Sequence, residues 1–178
     1  EVMLQQTQLK TVLPYWEKWM ITFPDLGVLV NKDEKQILLN WQGLGYYSRA
    51  RRLHQSSKIL LELIGNQSFI DANAWPKDLE SWMSLPGIGR TTAGSIISSA
   101  FNFPSPILDG NVKRILSRLI ASPSPLNKEL KQYWILSEML IDLKRPRDFK
   151  QALMDIGAII CTPHHPKCFK CPLKIFCK

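Results

Sequence analysis

The turn Leu85-Pro86-Gly87-Ile88-Gly89 constrains the fold of this chain more than any other stretch of its 178 residues. Its proline and glycines are incompatible with a continuous helix, whereas small residues fill the segment 90–101 that follows. The glycines permit positive φ, and the amides of Gly87, Gly89 and Thr91 would lie at a helix N-terminus, where a phosphate is favoured. The sequence therefore predicts a helix-hairpin-helix over 78–101. A plain αα-hairpin with a glycine turn fits these five residues equally well.

A single carboxylate, Asp109, comes directly before the next amphipathic segment. The apolar positions of that segment have helical spacing and are Val112, Ile115, Leu116, Leu119 and Ile120. Two interpretations follow for Asp109. It is the N-cap of this helix, or it is a catalytic carboxylate beside the phosphate-binding turn.

The chain is strongly basic, with 23 Lys and Arg against 15 Asp and Glu and a net charge of +8. Between Glu34 and Glu62 the charged residues are all basic, and after Asp155 they are all lysines. Blocks of one sign predict a surface that binds phosphates. No apolar run reaches the roughly 18 residues of a membrane helix. Because no amphipathic anchor stands out either, nucleic acid is the predicted partner, ahead of a membrane surface.

The four cysteines of the chain fall in one short stretch near its end. They are Cys161, Cys168, Cys171 and Cys177, with the spacing C-x6-C-x2-C-x5-C. Four thiols this close, in a chain without other cysteines, indicate a local metal site in a reducing compartment rather than a disulfide scaffold. The spacing alone fits structural zinc or an iron–sulfur cluster.

Helical periodicity without convincing period-two strands predicts an all-α fold of two helical lobes, with the hairpin and Asp109 at the cleft between them. Helices are expected from Thr11 through Met20, from Asn31 to Trp41, over 46–64, from Asn127 to about Leu143, and from a cap at Asp148. Ser122-Pro123-Ser124-Pro125 is the predicted linker. We expect a first domain over 1–121, with the hairpin and catalytic loop, and the rest of the second lobe over 122–178.

These features together resemble the base-excision DNA glycosylases of the helix-hairpin-helix, endonuclease III-like superfamily, from Glu1 to Cys177. The segment ending MDIGAIIC before the cysteine spacing resembles the 4Fe–4S loop of that superfamily. The opening EVMLQQTQ and the stretch Trp41–Tyr47 are similar to the MutY-type adenine DNA glycosylases. Thr91 stands where endonuclease III-type lyases carry a lysine, and a hydroxyl cannot form a Schiff base. The chain opens in mid-element, and we expect an upstream segment and a C-terminal recognition domain to lie outside it.

The resemblance implies a monofunctional hydrolase that removes adenine mispaired with 8-oxoguanine or guanine, with Glu1 protonating adenine and Asp109 stabilising the sugar cation. It implies DNA contacts from Gln6, Thr7, Tyr46, Arg49, Leu85, Gly87, Gly89 and Thr91. It implies a 4Fe–4S cluster on Cys161, Cys168, Cys171 and Cys177, and a monovalent cation at the hairpin carbonyls of Met83, Leu85 and Ile88. The expected partner is duplex DNA with an adenine mispair, bound by an intracellular monomer without a membrane, in the bacterial cytoplasm (nucleoid) or in a nucleus or mitochondrion. Two alternatives remain open: an endonuclease III-like glycosylase/lyase for oxidised pyrimidines, and a non-catalytic iron–sulfur module that binds DNA.

Overall fold

Helices account for all the regular secondary structure in the computed structural model, which describes residues 1–65, 73–124 and 128–178; none of these residues lies in a strand. The predicted all-α class is therefore confirmed. The described chain forms two compact units, Glu1–Gly89 and Arg90–Lys178. The predicted domain boundary near residue 121 stays a prediction. None of the helices in the described ranges is long and apolar enough to cross a membrane.

The first unit contains five α-helices: α1 (Leu9–Thr22), α2 (Leu26–Val30), α3 (Glu34–Trp41), α4 (Ser48–Ile64) and α5 (Leu79–Met83). The second contains α6 (Arg90–Phe101), α7 (Gly110–Leu119), α8 (Leu130–Leu140) and α9 (Pro146–Asp155). A π-helical turn, Ile156–Ile160, continues α9, and short 3-10 turns lie at Val2–Leu4, Cys168–Lys170 and Lys174–Phe176.

The core of the first unit is aromatic. Trp19 packs edge-on against Phe23 at 4.6 Å and against Trp41 at 5.6 Å between ring centroids. The 3-10 turn inserts Met3 into the same cluster, so the opening segment of the chain is anchored by burial of apolar surface.

The core of the second unit is built around α7. Val112, Ile115 and Leu116 are buried on one face of this helix, at the spacing the sequence predicts, and they pack with Tyr133 of α8 and Leu153 of α9. Because Ile107 and Leu108 belong to the same cluster, the loop that precedes α7 is fixed by the core.

The sequence predicts the presence of these helices more accurately than the residues at which they begin. The helix α1 begins at Leu9, ahead of Thr11, and Asp33 rather than Asn31 caps α3 by accepting from Gln36 N at 2.7 Å. Asp148 lies inside the first turn of α9, which begins at Pro146 because a missing N–H costs nothing there. Tyr46 and Tyr47 precede α4, which begins at Ser48. Pro125 and Asn127 lie outside the described residues.

Candidate functional site

The glycine turn, Leu85–Gly89, is held by hydrogen bonds from α4 and from the opening segment of the chain, residues 1–8. Ser56 of α4 donates to the carbonyl of Pro86 at 2.9 Å, and the Gln5 amide donates to the carbonyl of Gly87 at 3.1 Å. Inside the turn, Ile88 N donates to the Leu85 carbonyl at 3.1 Å. The turn is therefore fixed by three hydrogen bonds to its carbonyls, and of its amides those of Gly87 and Gly89 are left for other partners.

The two glycines of the turn differ in conformation. Gly87 has φ +79°, and a Cβ there would lie 2.9 Å from Cδ and 3.1 Å from Cβ of Arg52. Gly89 does not have positive φ, so within the turn this freedom of glycine is used at Gly87 alone, and a Cβ on Gly89 would meet no atom within 4 Å. Nothing inside the described protein requires a glycine at Gly89, whereas the open space beside it admits a ligand.

Leu85 is buried, with only 3% of its surface exposed, so a contact with DNA would have to come from its backbone. Its carbonyl is one of the three expected to hold a monovalent cation, with those of Met83 and Ile88. The cation site stays a prediction.

Two exposed residues of the first unit have left-handed backbones that non-glycine residues rarely adopt. Gln6, in the loop after the 3-10 turn, has φ +57°, and Tyr46, just before α4, has φ +49°. The Tyr46 side chain is 60% exposed, which is unusual for a large aromatic ring at a fixed position. Such backbones persist where surrounding contacts hold them, and they concentrate at functional sites.

Arg49, expected from the resemblance to contact DNA, is buried with only 6% of its surface exposed. Its Nη1 donates to the carbonyls of Val2, Met3 and Gln5 at 3.3, 2.8 and 2.5 Å. Its Nη2 donates to the Thr7 hydroxyl at 3.0 Å and to the Gly45 carbonyl at 3.3 Å. Burial lowers the pKa of Arg49, but an arginine stays protonated at neutral pH.

The basic block around Arg49 is used partly inside the protein. Arg51 forms an exposed ion pair with Glu34 at 2.8 Å, and the Arg52 stem packs against Gly87. Its charges are therefore not all available to phosphates.

In the second unit, the loop that leads to Asp109 is clamped by two helices. Thr91 of α6 donates to the Leu108 carbonyl at 3.2 Å, and Ser137 of α8 donates to the Ile107 carbonyl at 2.7 Å. A Cβ on Gly94 would collide with the Pro106 carbonyl oxygen, so α6 and the loop are in backbone contact. The structure therefore brings Thr91 to the residue that precedes Asp109.

Asp109 is the N-cap of α7, as one interpretation of the sequence predicts. Its Oδ1 accepts from Val112 N at 2.8 Å, and no hydrogen bond to its second oxygen is found within the described chain. The negative charge lies at a helix N-terminus, where the helix dipole stabilises an anion. A cap of this kind leaves one carboxylate oxygen for chemistry.

The cysteine loop is fastened to α7 by two arginines one helical turn apart. Arg114 donates from Nε to the Cys161 carbonyl and from Nη2 to the Gly157 carbonyl, each at 2.7 Å. Arg118 lies 3.4 Å from the Cys161 sulfur through Nη1, and the Cys177 thiol donates to the Arg118 carbonyl at 3.5 Å. Arg118 thus contacts the first and last cysteines of the loop.

Four cysteine thiols are the ligands that an iron–sulfur cluster uses, so the residues of this loop fit such a cluster. Burial raises the pKa of the Cys177 thiol, and Coulomb repulsion from Cys161, Cys171 and Cys168 raises it further. All four cysteines are reduced thiols. No three ligand side chains within the described residues are gathered as closely as a bound metal ion requires.

A family model described as HhH-GPD superfamily base excision DNA repair protein matches residues 1–134. The chain belongs to the HhH-GPD superfamily. The predicted resemblance is thereby confirmed. This HhH-GPD chain is similar over its whole length to proteins named adenine DNA glycosylase, with 44% identity to that of Buchnera aphidicola subsp. Baizongia pistaciae and 41% to that of Homo sapiens. It covers 49% and 32% of those two proteins, so it spans about half their length or less.

Solved structures with the same HhH-GPD fold cover 99% of the chain. A thermostable thymine-DNA glycosylase has a TM-score of 0.84 at 26% identity, with 79% of that chain covered. An endonuclease III trapped as a covalent intermediate with DNA has a TM-score of 0.79 at 21% identity, also with 79% of that chain covered, which shows likeness of fold alone.

The sequence of this HhH-GPD chain does not reveal the residues whose side chains hold other predicted site residues in place. These residues are Ser137, Arg114 and Arg118, and the contacts of Arg49 with the opening segment are likewise absent from the sequence pattern, while its expected contact with DNA stays a prediction. Arg114 and Arg118 have a detectable signal, since two basic residues at i and i+4 share one helix face. The first unit brings together four of the predicted site residues: Gln6, Thr7, Tyr46 and Arg49. The second unit brings Thr91 close to the loop of Asp109. Glu1 and Asp109 belong to different units.

Proposed function

We propose that this chain carries the catalytic region of an adenine DNA glycosylase, which hydrolyses the N-glycosidic bond of adenine mispaired with 8-oxoguanine or guanine. The observation that carries the proposal is Asp109, a carboxylate with one oxygen left by its cap, in a loop that the Thr91 hydroxyl holds through the Leu108 carbonyl. The relatives named adenine DNA glycosylase, similar along the entire chain, support the substrate.

Duplex binding in this proposal begins at the glycine turn. The turn carbonyls of Leu85, Pro86 and Gly87 have partners inside the protein, whereas the amides of Gly87 and Gly89 are suited to a phosphate. The open space beside Gly89 lets the phosphodiester backbone approach closely.

The target base must leave the stack, because a base inside a duplex is out of reach of catalytic groups. Gln6 and Tyr46 are exposed and fixed in left-handed conformations, which suits side chains that enter the base stack. Thr7 would contact the strand that carries the damaged guanine. Their contacts would offset the cost of unstacking, about a few kcal/mol.

Cleavage of the bond requires two carboxyl groups in different protonation states, as in other glycoside hydrolyses. Glu1, flanked by the apolar residues Val2 and Met3, donates a proton to the leaving adenine. Asp109 lies at the N-terminus of α7, where the helix dipole favours an anion, and its second oxygen stabilises the positive charge that develops on the sugar.

Thr91 makes the enzyme monofunctional. Its hydroxyl donates to the Leu108 carbonyl, so it positions the loop of Asp109 and offers no amine for a Schiff base. Strand cleavage at the abasic site would then need a second enzyme or alkali.

The four cysteines would hold a 4Fe–4S cluster, with Arg114 and Arg118 fixing the backbone around the first of them. The cluster, when bound, would order the loop and its lysines for contact with phosphates rather than take part in bond cleavage. The hairpin carbonyls would hold the monovalent cation. We also propose that the protein acts as an intracellular monomer on duplex DNA.

The test is incubation with three duplexes: adenine opposite 8-oxoguanine, adenine opposite thymine, and a duplex with an oxidised pyrimidine. The proposal expects strand breaks in the first duplex only, and only after alkali. Breaks without alkali in the third would favour the endonuclease III-like glycosylase/lyase. Tight binding without breaks in any duplex would favour the non-catalytic iron–sulfur module.

A matched pair of variants isolates the carboxylate from the cap. Asp109→Asn keeps a good N-cap and removes the charge, whereas Asp33→Asn makes the same change at the cap of α3. We expect Asp109→Asn and Glu1→Gln each to lower the single-turnover rate about 10²–10⁴-fold. Asp33→Asn should match the parent, and equal losses in both cap variants would contradict the catalytic role.

A further inference from the structure

Gln6 and Tyr46 are far apart in sequence but share an unfavourable backbone conformation. Both have φ near +50°, at +57° and +49°, and neither is a glycine. Left-handed backbone is unfavourable for both side chains. Since both residues are exposed, burial of their own side chains does not hold them, and other contacts must do so.

The guanidinium of Arg49 makes contacts on both sides of Gln6 and on Tyr46. It donates to the Gln5 carbonyl at 2.5 Å and to the Thr7 hydroxyl at 3.0 Å, the residues that flank Gln6. It also donates to the Gly45 carbonyl at 3.3 Å, and its Cζ lies 5.2 Å from the centre of the Tyr46 ring. One planar group thus constrains both left-handed residues.

The burial of Arg49 separates this role from a contact with DNA. With 6% of its surface exposed and five acceptors inside the protein, the guanidinium has no open face for a phosphate. The fork of Arg49 also suits several acceptors in different directions, which a lysine ammonium on a flexible stem cannot reproduce.

We infer that Arg49 is a positioning residue that holds Gln6 and Tyr46 as a pair of wedges for the base stack, and that it does not bind DNA itself. The inference rests on the proposed function, because it assigns a part in base unstacking to residues of that site. It predicts that weakening the Arg49 contacts lowers unstacking while general duplex affinity persists.

The test compares Arg49→Lys with Arg51→Lys, an equal change two residues away at an exposed ion pair with Glu34. The probe is a duplex with adenine opposite 8-oxoguanine and 2-aminopurine as the neighbouring base, whose fluorescence rises on unstacking. For Arg49→Lys we expect the fluorescence rise to fall at least about threefold, with duplex affinity within about twofold of the parent. Arg51→Lys should give the parent's rise.

Salt dependence and rescue distinguish positioning from the other roles of an arginine. A phosphate contact would make Arg49→Met lose about one unit of slope in log affinity against log salt; we expect no change. Asparagine tolerates left-handed backbone better than glutamine, so Gln6→Asn in the Arg49→Lys protein should restore part of the unstacking. Gln6→Asn alone is the reference for the shorter side chain. A packing defect would not be rescued in this way, and absence of rescue where Gln6→Asn alone unstacks the probe overturns the inference.

A milder variant serves if both Arg49 variants fail to fold by circular dichroism. Thr7→Val removes one acceptor of Nη2 and should lower unstacking, again with rescue by Gln6→Asn.

The results separate the inference from the proposed function. If the unsubstituted protein unstacks the probe but does not excise adenine, the proposed function alone is overturned. Arg49→Lys with the parent's fluorescence overturns the inference alone, and a parent that binds without unstacking overturns both.

Discussion

The two glycines of the turn Leu85–Gly89 should respond oppositely to the same substitution. Gly87→Ala places a Cβ on a backbone with φ +79°, where Arg52 already lies within 2.9 Å. Gly89→Ala places a Cβ in open space on a backbone without positive φ. We therefore expect Gly87→Ala to damage folding and Gly89→Ala to damage DNA binding.

The magnitudes follow from the geometry. Left-handed backbone costs an alanine about 1–2 kcal/mol, and displacing the Arg52 stem adds about 1 kcal/mol or more. After about 0.4–1 kcal/mol is regained from the less flexible unfolded chain, the free energy of unfolding of Gly87→Ala should fall by about 1–3 kcal/mol. At about 2–4 °C per kcal/mol for a chain of this size, its Tm should fall by about 2–12 °C.

For Gly89→Ala the stability term has the opposite sign. The unfolded chain loses flexibility and no clash opposes the change, so the Tm should stay equal or rise slightly. Separation of a phosphate from the turn amides weakens hydrogen bonds to a charged group, each worth about 1.5–3 kcal/mol. We expect duplex affinity to fall about tenfold or more.

Thermal unfolding by circular dichroism and duplex binding by fluorescence anisotropy, at one fixed salt concentration, separate the two effects. Each variant is the control for the other, because they make the same substitution two residues apart. A Tm loss in Gly89→Ala as large as that in Gly87→Ala would refute the structural argument. Unchanged affinity in Gly89→Ala would refute the phosphate at the turn.

Three further predictions concern the interior and the cysteine loop. Burial, and then the charge of Lys58, lower the pKa of His54. The free energy of unfolding should therefore hold its full value above the unfolded pKa of about 6.5 and fall as the pH drops through the lower, folded pKa. Urea titrations at a series of pH values should show this fall in the parent protein and a smaller one in His54→Gln. Gly94→Ala should cost about 1–3 kcal/mol, measured by thermal unfolding, because its Cβ would meet the Pro106 carbonyl. The anaerobically purified protein should be brown with broad visible absorption, and Cys171→Ser should lose more duplex affinity than helix content, whereas a colourless protein with stoichiometric zinc would contradict the cluster.

The sequence predicted best where structure depends on neighbours in the chain. The bounds of α6 and the cap at Asp109 follow from a turn, a run of small residues and a helical apolar period, all within a few residues. The start of α3 failed on the same local scale, because Asn31 and Asp33 are both good caps. Only the observed backbone shows that Asp33 is the residue whose side chain reaches Gln36 N.

The contacts of Arg49 could not be predicted from the sequence, because its partners are distant along the chain. Its hydrogen bonds to Met3, Gln5 and Thr7 span 42 to 46 residues, and no local pattern encodes them. A basic residue in a basic block is most simply interpreted as a phosphate contact. Buried arginines are rare unless they are paired, so the number of acceptors around Arg49 becomes evident only in three dimensions.

The helix α4 explains why these separate features occur in one chain. At its N-terminal end Arg49 fixes the opening segment and Tyr46, and further along Ser56 fixes the glycine turn. Gln5 joins the opening segment to the same turn through the Gly87 carbonyl. A displacement of α4 would therefore move the residues proposed for protonation, unstacking and phosphate binding together. Burying the charge of Arg49 costs desolvation free energy, whereas most other cations of the described chain stay exposed. The hydrogen bonds that hold the opening segment in one position offset that cost.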